Sequence, residues 1–257
     1  MKVEIIPCHF DNFSYLLICE DTGKVAIIDP AEYYPISRAI SSLNVEVAAV
    51  YCTHHHADHI GGLEELCEEH PGVVVAGFGA DAGRIPHLAA LLEHGDSVQF
   101  GNIKGEVIHT PGHTSGGICF LFGEHLFTGD TLFGAGCGRL FEGSPEQMYN
   151  SLHSVTDDLG EGVNIYFGHE YTVSNLKFAQ FIEPENELVR RRLREATALV
   201  ENGGKTTPST IGVERQTNPF LRSRLESVQK CLAEKMLLDA TDPVAVFTAL
   251  RRLKDSY

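Results

Sequence analysis

The stretch Thr53-His54-His55-His56-Ala57-Asp58-His59 decides how this chain is read. It follows the apolar run Val45–Cys52, which predicts a strand, and it opens Ala57–Glu69, whose spacing predicts a helix. His54, His56, Asp58 and His59 set three imidazoles and a carboxylate within six residues. Such groups are costly to pack in a core, and they suit the ligation of two metal ions. In a locally extended segment alternate side chains point to opposite sides, so His54 and His56 can converge while His55 points away.

Working outward, three more turns with metal-binding residues follow apolar runs: Thr110-Pro111-Gly112-His113-Thr114, Thr128-Gly129-Asp130-Thr131 and Gly168-His169-Glu170-Tyr171. Strand ends are where open α/β architectures place ligands. The candidates are therefore His54, His56, Asp58, His59, His113, Asp130 and His169. His70, His87, His94, His109, His125 and His153 read as ordinary polar loop residues. Asp130 alone would read as a turn aspartate; three companion motifs of like chemistry raise it to a ligand.

Strands are expected at Val3–Pro7, Tyr15–Cys19, Val25–Asp29, Val73–Ala76, Lys104–His109, Ile118–Phe122, His125–Phe127 and Val163–Phe167, with helices at Tyr34–Leu43 and Pro145–Leu159. After Val173 only helices are expected, at Asn175–Phe181, Glu185–Glu201, Leu221–Leu238 and Pro243–Leu253, with a turn-rich Asn202–Ser209. This places a boundary near 173, dividing the chain into a mixed strand-and-helix domain over 1–173 and a helical domain over 174–257.

The chain has 257 residues, 43% of them hydrophobic, enough for a proper core without staples. Its seven cysteines are odd in number and form no CxxC pair, which fits a reducing compartment. With no signal-like start and no apolar run near the ~20 residues of a membrane span, a soluble, cytoplasmic protein is expected. A net charge of −15 argues against nucleic acid as a partner. The charge is uneven: residues 1–177 hold 7 Lys+Arg against 24 Asp+Glu, and residues 178–257 hold 13 against 11. That change marks a second, functionally distinct unit.

THHHADHIGG, TPGHTSGGICF, FTGDTLFGAGCGRLFEG and GHEYTVSNLKFA together resemble the metallo-β-lactamase superfamily, and within it the glyoxalase II (hydroxyacylglutathione hydrolase) family. In the tail, ERQTNPFLR (Glu214–Arg222) and RRLKD (Arg251–Asp255) resemble that family's carboxy-terminal domain. The resemblance implies an αββα sandwich followed by a helical domain. It implies His54, His56 and His113 on one metal, Asp58, His59 and His169 on a second, and Asp130 bridging, with His54, His56, Asp58 and Asp130 central to catalysis. Asp29 falls where a carboxylate supports a ligand histidine. Two divalent ions are implied, zinc foremost, with iron or manganese also suited to this donor set.

The implied reaction is hydrolysis of S-D-lactoylglutathione to glutathione and D-lactate, a step of methylglyoxal detoxification, by a hydroxide bridging the two metals. The thiolate leaving group has a conjugate-acid pKa near ~8.5, so no strong general acid is needed. A glutathione thioester is anionic, and the acidic first part of the chain would repel it without metals and local cations. Arg251 and Lys254, three apart on one helical face, match the positions that grip the glycine carboxylate of glutathione. Arg139, Phe141, His169 and Tyr171 are expected in the same groove. Phe141 departs from the tyrosine that many members carry, leaving only apolar contact there. A monomer is expected. The rival reading is a mononuclear-iron glutathione persulfide dioxygenase of the same fold; His59, His169 and the long tail favour hydrolysis. The aspartate bridge and the tail argue against a β-lactamase.

Overall fold

The computed structural model describes residues 1–43, 45–236 and 241–257. Its packing divides the chain into two compact units, one of Met1–His109 with Gly116–Gly129, the other of Thr110–Ser115 with Asp130–Tyr257.

The first unit opens with β1 (Lys2–Cys8), β2 (Asn12–Cys19) and β3 (Lys24–Ile28), then α1 (Tyr33–Leu43), β4 (Glu46–Tyr51), α2 (Ala57–Ile60), α3 (Leu63–Glu69), β5 (Val74–Phe78) and β6 (Leu88–Leu92). These six strands form one sheet in sequence order, antiparallel from β1 to β3 and parallel from β3 to β6. The strands β7 (Ser97–Phe100), β8 (Ile103–His109), β9 (Ile118–Phe122) and β10 (His125–Gly129) form an antiparallel meander.

Alternation along the central strands builds the sandwich. All of β2 is buried. Leu16, Ile18, Val25, Ile27, Val50 and Cys52 pack with Ile36 and Ile40 of α1 and Leu63 and Leu66 of α3. The neighbours of opposite parity face the meander: Tyr15 meets Phe127 edge-on at 5.4 Å, and Tyr51 lies 5.3 Å from Phe120. A strand covered on both faces is largely apolar, which is why Tyr15–Cys19 reads as a continuous run, while the buried Asn12 and Ser14 of β2 are hydrogen-bonded.

Two expectations for this unit are corrected. Ala57–Glu69 is not one helix, because Gly61-Gly62 separates α2 from α3. A Cβ at Gly62 would stand 2.5 Å from the Tyr33 amide nitrogen, so the chain passes the 30–33 loop too closely for any side chain. The strands β6 and β7 were not expected.

The second unit holds the hairpin β11 (Leu132–Phe133) and β12 (Gly136–Cys137), α4 (Pro145–Ser154), β13 (Asn164–Phe167), α5 (Thr172–Ile182), α6 (Glu187–Glu201), β14 (Ser209–Thr210), α7 (Ile211–Thr217), α8 (Glu226–Met236) and α9 (Pro243–Asp255). Helix α4 starts on a capping box, Ser144 with Gln147, and proline at its first turn. It ends at Ser154, short of the expected Leu159, where the Arg215 guanidinium takes the carbonyls of Thr156, Asp157 and Leu159. Helix α6 begins two residues late because Asn186 caps the amides of Leu188 and Val189. The tail is not purely helical, since β14 pairs antiparallel with β13. The expected helix Leu221–Leu238 begins only at Glu226, and its last two residues lie outside the described residues. Phe220 joins Phe178 of α5 to Phe247 of α9 through ring contacts of 6.1 and 5.7 Å.

Candidate metal centre

The donor side chains of the first unit gather because β3 and β4 are parallel neighbours and end together. The Asp29 amide donates to Tyr51 O at the end of this ladder, and the Asp29 backbone is left-handed, with φ of 50°. That turn aims the carboxylate inward, where it is 2% exposed. It accepts from Thr53 N (2.7 Å), Thr53 Oγ1 (2.6 Å) and His59 Nδ1 (2.9 Å). With Nδ1 so engaged, the lone pair of His59 Nε2 is left for a cation. Asp29, His54 and His59 offer ligand atoms all within 4.8 Å of one another.

His54 and His56 converge, with Nε2 of the first 3.1 Å from Nδ1 of the second. Asp58 Oδ2 lies 3.8 Å from His59 Nε2 and is held by the Asn12 amide at 3.1 Å. His55 turns elsewhere, to Arg84 at 2.6 Å and Asp81 at 3.5 Å.

The second unit gathers its own three donors. Asp130 Oδ2 lies 3.4 Å from His113 Nε2 and 3.3 Å from His169 Nε2. His113 Nδ1 donates to Arg139 O at 2.8 Å, which turns its Nε2 lone pair toward the carboxylate. Gly138 makes this possible: a Cβ there would press on the Asp130 carbonyl and stand 3.0 Å from His113 Nδ1. His169 stacks on the Tyr171 ring at 4.8 Å and 4°, with Phe133 edge-on at 6.0 Å.

Five further candidates also lie in the second unit. Phe141 is exposed, its ring 5.2 Å from His113. Arg139 and Arg251 both approach Asp255, Arg139 Nε at 3.8 Å and Arg251 Nη2 at 2.8 Å. Arg251 is 5% exposed; it also donates to Cys137 O at 3.0 Å and lies 5.0 Å over Phe220. Lys254 Nζ sits 3.3 Å from Ser174 Oγ and 5.5 Å from the rings of Phe178 and Tyr257. Burial, helped by the charges of Arg251 and Arg139, pushes its ammonium down to about 8.

Sequence reasoning missed Asn12, which steadies Asp58, and the Asp81–Arg84 pair that faces His55. It also missed Glu214 and Asn218. Glu214 accepts from Ala135 N, and Asn218 donates to Gly136 O, so together they hold the β11–β12 hairpin. Both lie in ERQTNPFLR, which was read only as a family signature.

Histidines and carboxylates at the ends of sandwich strands define a class, and residues 10–169 match the metallo-beta-lactamase superfamily. Residues 170–257 match the hydroxyacylglutathione hydrolase C-terminus. The hydroxyacylglutathione hydrolase of a Synechococcus strain is 42% identical over 259 residues, covering 100% of both chains. That of Gloeobacter violaceus is 43% identical over 249 residues, covering 96% of each. The solved structure of ETHE1 from Myxococcus xanthus matches with a TM-score of 0.68 at 25% identity, covering 99% of this chain and 100% of that one. The chain belongs to the hydroxyacylglutathione hydrolase family and is an enzyme of the hydrolase class. It has the metallo-β-lactamase fold with that family's helical C-terminal domain. Among the described residues no helix is long and apolar enough to cross a membrane.

Proposed function

We propose that this enzyme hydrolyses S-D-lactoylglutathione to glutathione and D-lactate in the cytoplasm, as a monomer, with a catalytic domain over 1–173 and a helical substrate-binding domain over 174–257. The observation that supports it best is likeness along the whole chain to curated relatives named hydroxyacylglutathione hydrolase, the tail included.

The donor sets fit divalent ions. Two imidazole nitrogens 3.1 Å apart on His54 and His56, and a buried carboxylate oxygen flanked by two imidazoles, are groups a cation would draw together. His54, His56 and His113 would hold one ion, Asp58, His59 and His169 a second, and Asp130 both, most favourably as zinc. When bound, such ions lower the pKa of water toward ~7 and polarise the carbonyl to be attacked. The remaining work falls to the chain. Asp29 fixes the His59 tautomer, and Arg139 O fixes that of His113. Lys254, Arg139 and Arg251 would draw the carboxylates of glutathione, and Tyr171 and Phe141 would pack along the tripeptide. A thiolate leaves unaided near neutral pH, so no residue need protonate it.

The test is to incubate metal-analysed protein with S-D-lactoylglutathione without oxygen and to follow loss of thioester absorbance, alongside Asp130→Asn. Turnover with about two metals per chain, both lost in the variant, is expected. No turnover, with one iron and oxygen uptake on glutathione persulfide, would replace the reading with a dioxygenase. A variant retaining two metals and full turnover would overturn the ligand assignment.

A further inference from the structure

His55 is the histidine of the opening stretch that the metal assignment does not use, and the first unit gives it a support of its own. After β5 the chain turns over 81–85, where Asp81 O accepts from Arg84 N at 2.8 Å and from Ile85 N at 3.0 Å, and Ile85 is anchored in the core. The Asp81 carboxylate, 1% exposed, lies 3.1 Å from Arg84 Nε, and Arg84 Nη2 donates to His55 Nδ1 at 2.6 Å. Because that nitrogen accepts, Asp81, whose Oδ2 lies 3.5 Å from it, acts on the ring through the guanidinium. The carboxylate also rests on Gly116, where a Cβ would press into it, and two residues further on Ile118 N donates to Thr53 O at 2.9 Å. Burying a charged pair is costly, and apolar side chains of similar volume would fill this place without that cost.

Two of the proposed ligand histidines are oriented through Nδ1. Thr53 Oγ1, which donates to Asp29, accepts from His54 Nδ1 at 3.0 Å, and Asp29 accepts from His59 Nδ1 at 2.9 Å. His56 cannot be held in that way, because its Nδ1 is the nitrogen that faces His54 Nε2, 3.1 Å away. Its ring stands instead against two others, 4.7 Å from His54 at 77° and 5.0 Å from His55 at 67°. We propose that Asp81 is a positioning residue for the metal centre: through Arg84 it fixes the His55 ring, against which His56 keeps Nδ1 aimed at the ion. Asp81 also neutralises a guanidinium whose charge would otherwise oppose a cation bound beside it. This rests on the ligand assignment proposed above.

The test follows three quantities in the full chain: zinc affinity by chelator competition, the visible spectrum of the cobalt-substituted protein, and melting of the metal-free protein. The variants are Asp81→Asn, Arg84→Lys and His55→Phe, with His56→Ala as the control. Arg84→Lys keeps a cation for Asp81 but cannot span carboxylate and ring, and His55→Phe keeps an aromatic ring but has no acceptor. In each of the three, one zinc-binding constant should fall about tenfold, the low end for a group that supports a ligand, and the cobalt spectrum should change. Metal-free Arg84→Lys and His55→Phe should melt within about 2 °C of wild type, so the weaker binding is not a loss of folding. His56→Ala should lose more affinity than any of them. If His56→Ala binds weakly while Arg84→Lys and His55→Phe keep the affinity and spectrum of wild type, Asp81 serves only the fold and the inference falls, with the ligand assignment intact. If His56→Ala keeps the affinity of wild type, the assignment falls and the inference falls with it.

Discussion

Glu214→Gln should cost this protein a substantial part of its stability, although it removes only a charge. Glu214 is fully buried. Its Oε1 accepts from Arg192 Nη2 and Ser209 Oγ, both at 2.5 Å, and its Oε2 from Ala135 N at 2.7 Å and Asn218 Nδ2 at 3.2 Å. Four donors converge on two oxygens, whereas a glutamine has one oxygen and one amide. If the oxygen serves Ala135 and Asn218, the new N–H groups face the Arg192 guanidinium. Breaking a buried pair this way costs about 3 kcal/mol, at the lower end for such pairs because Arg192 keeps Thr217 Oγ1. At roughly 2–4 °C per kcal/mol for a chain of this size, Tm should fall by about 6–12 °C. The assay is thermal denaturation at matched metal loading, with Arg192→Met and the double variant completing a cycle. The two losses should be less than additive. A Tm within about 2 °C of wild type, or strict additivity, would refute the reasoning.

Asp29→Asn keeps an acceptor for Thr53 N but offers His59 Nδ1 a donor in place of an acceptor; metal affinity should drop about 10–100-fold in chelator competition, and an unchanged affinity would remove Asp29 from this role. Lys254, held near 8, is charged below that pH and neutral above it, so KM for the anionic thioester should rise between about pH 7.5 and 9. In Lys254→Arg, which stays charged, that rise should disappear; its persistence would exclude Lys254 as the titrating group. Arg251→Ala should raise KM but also lower Tm by roughly 4–8 °C, as about 2 kcal/mol is lost with Asp255 and Cys137 O, the pair being discounted because Asp255 is partly exposed. Lys254→Ala should raise KM with little change in Tm. Equal melting of the two variants would contradict the distinction.

The strands β2 and β3 were legible because burial on both faces makes them nearly unbroken apolar runs. β6 was not: Leu88–Leu92 is apolar in sequence yet alternates between exposed and covered residues, and Leu91 faces solvent. The break at Gly61-Gly62 was hidden because it follows from the nearness of the 30–33 loop, which no local pattern encodes. The seven candidate donors could be picked out because they follow strands closely, in turns or, for Asp58 and His59, in the short helix α2, where these residue types have little other use. Of the residues that hold the surroundings, Asp29 was read through the family resemblance, but Asn12 and Glu214 were not, because their partners come from afar in sequence. Asn12 reaches Asp58 across 46 positions and Glu214 reaches Ala135 across 79. Each alone looks like an ordinary polar residue.

Arg251 and Lys254 were expected to draw the anionic substrate, but in the tail folding commits several of the cations internally. Arg192 is committed to Glu214, Arg222 to Glu183 through two hydrogen bonds, Arg224 to Tyr149 and Asp157, and Arg215 to three carbonyls. These cations tie the tail's helices to neighbouring elements of the second unit, and through Glu214 to the β11–β12 hairpin. Arg251 is largely of this kind, since Asp255 already holds its guanidinium. Lys254 differs. Its neighbours are a serine and two aromatic rings, and burial with two nearby arginines makes its charge unfavourable. An arriving carboxylate would relieve that cost, because a nearby negative charge favours the charged ammonium. On the proposed reading, anion recognition would rest chiefly on Lys254 and the exposed Arg139, with Arg251 adding what its pairing with Asp255 leaves of its charge.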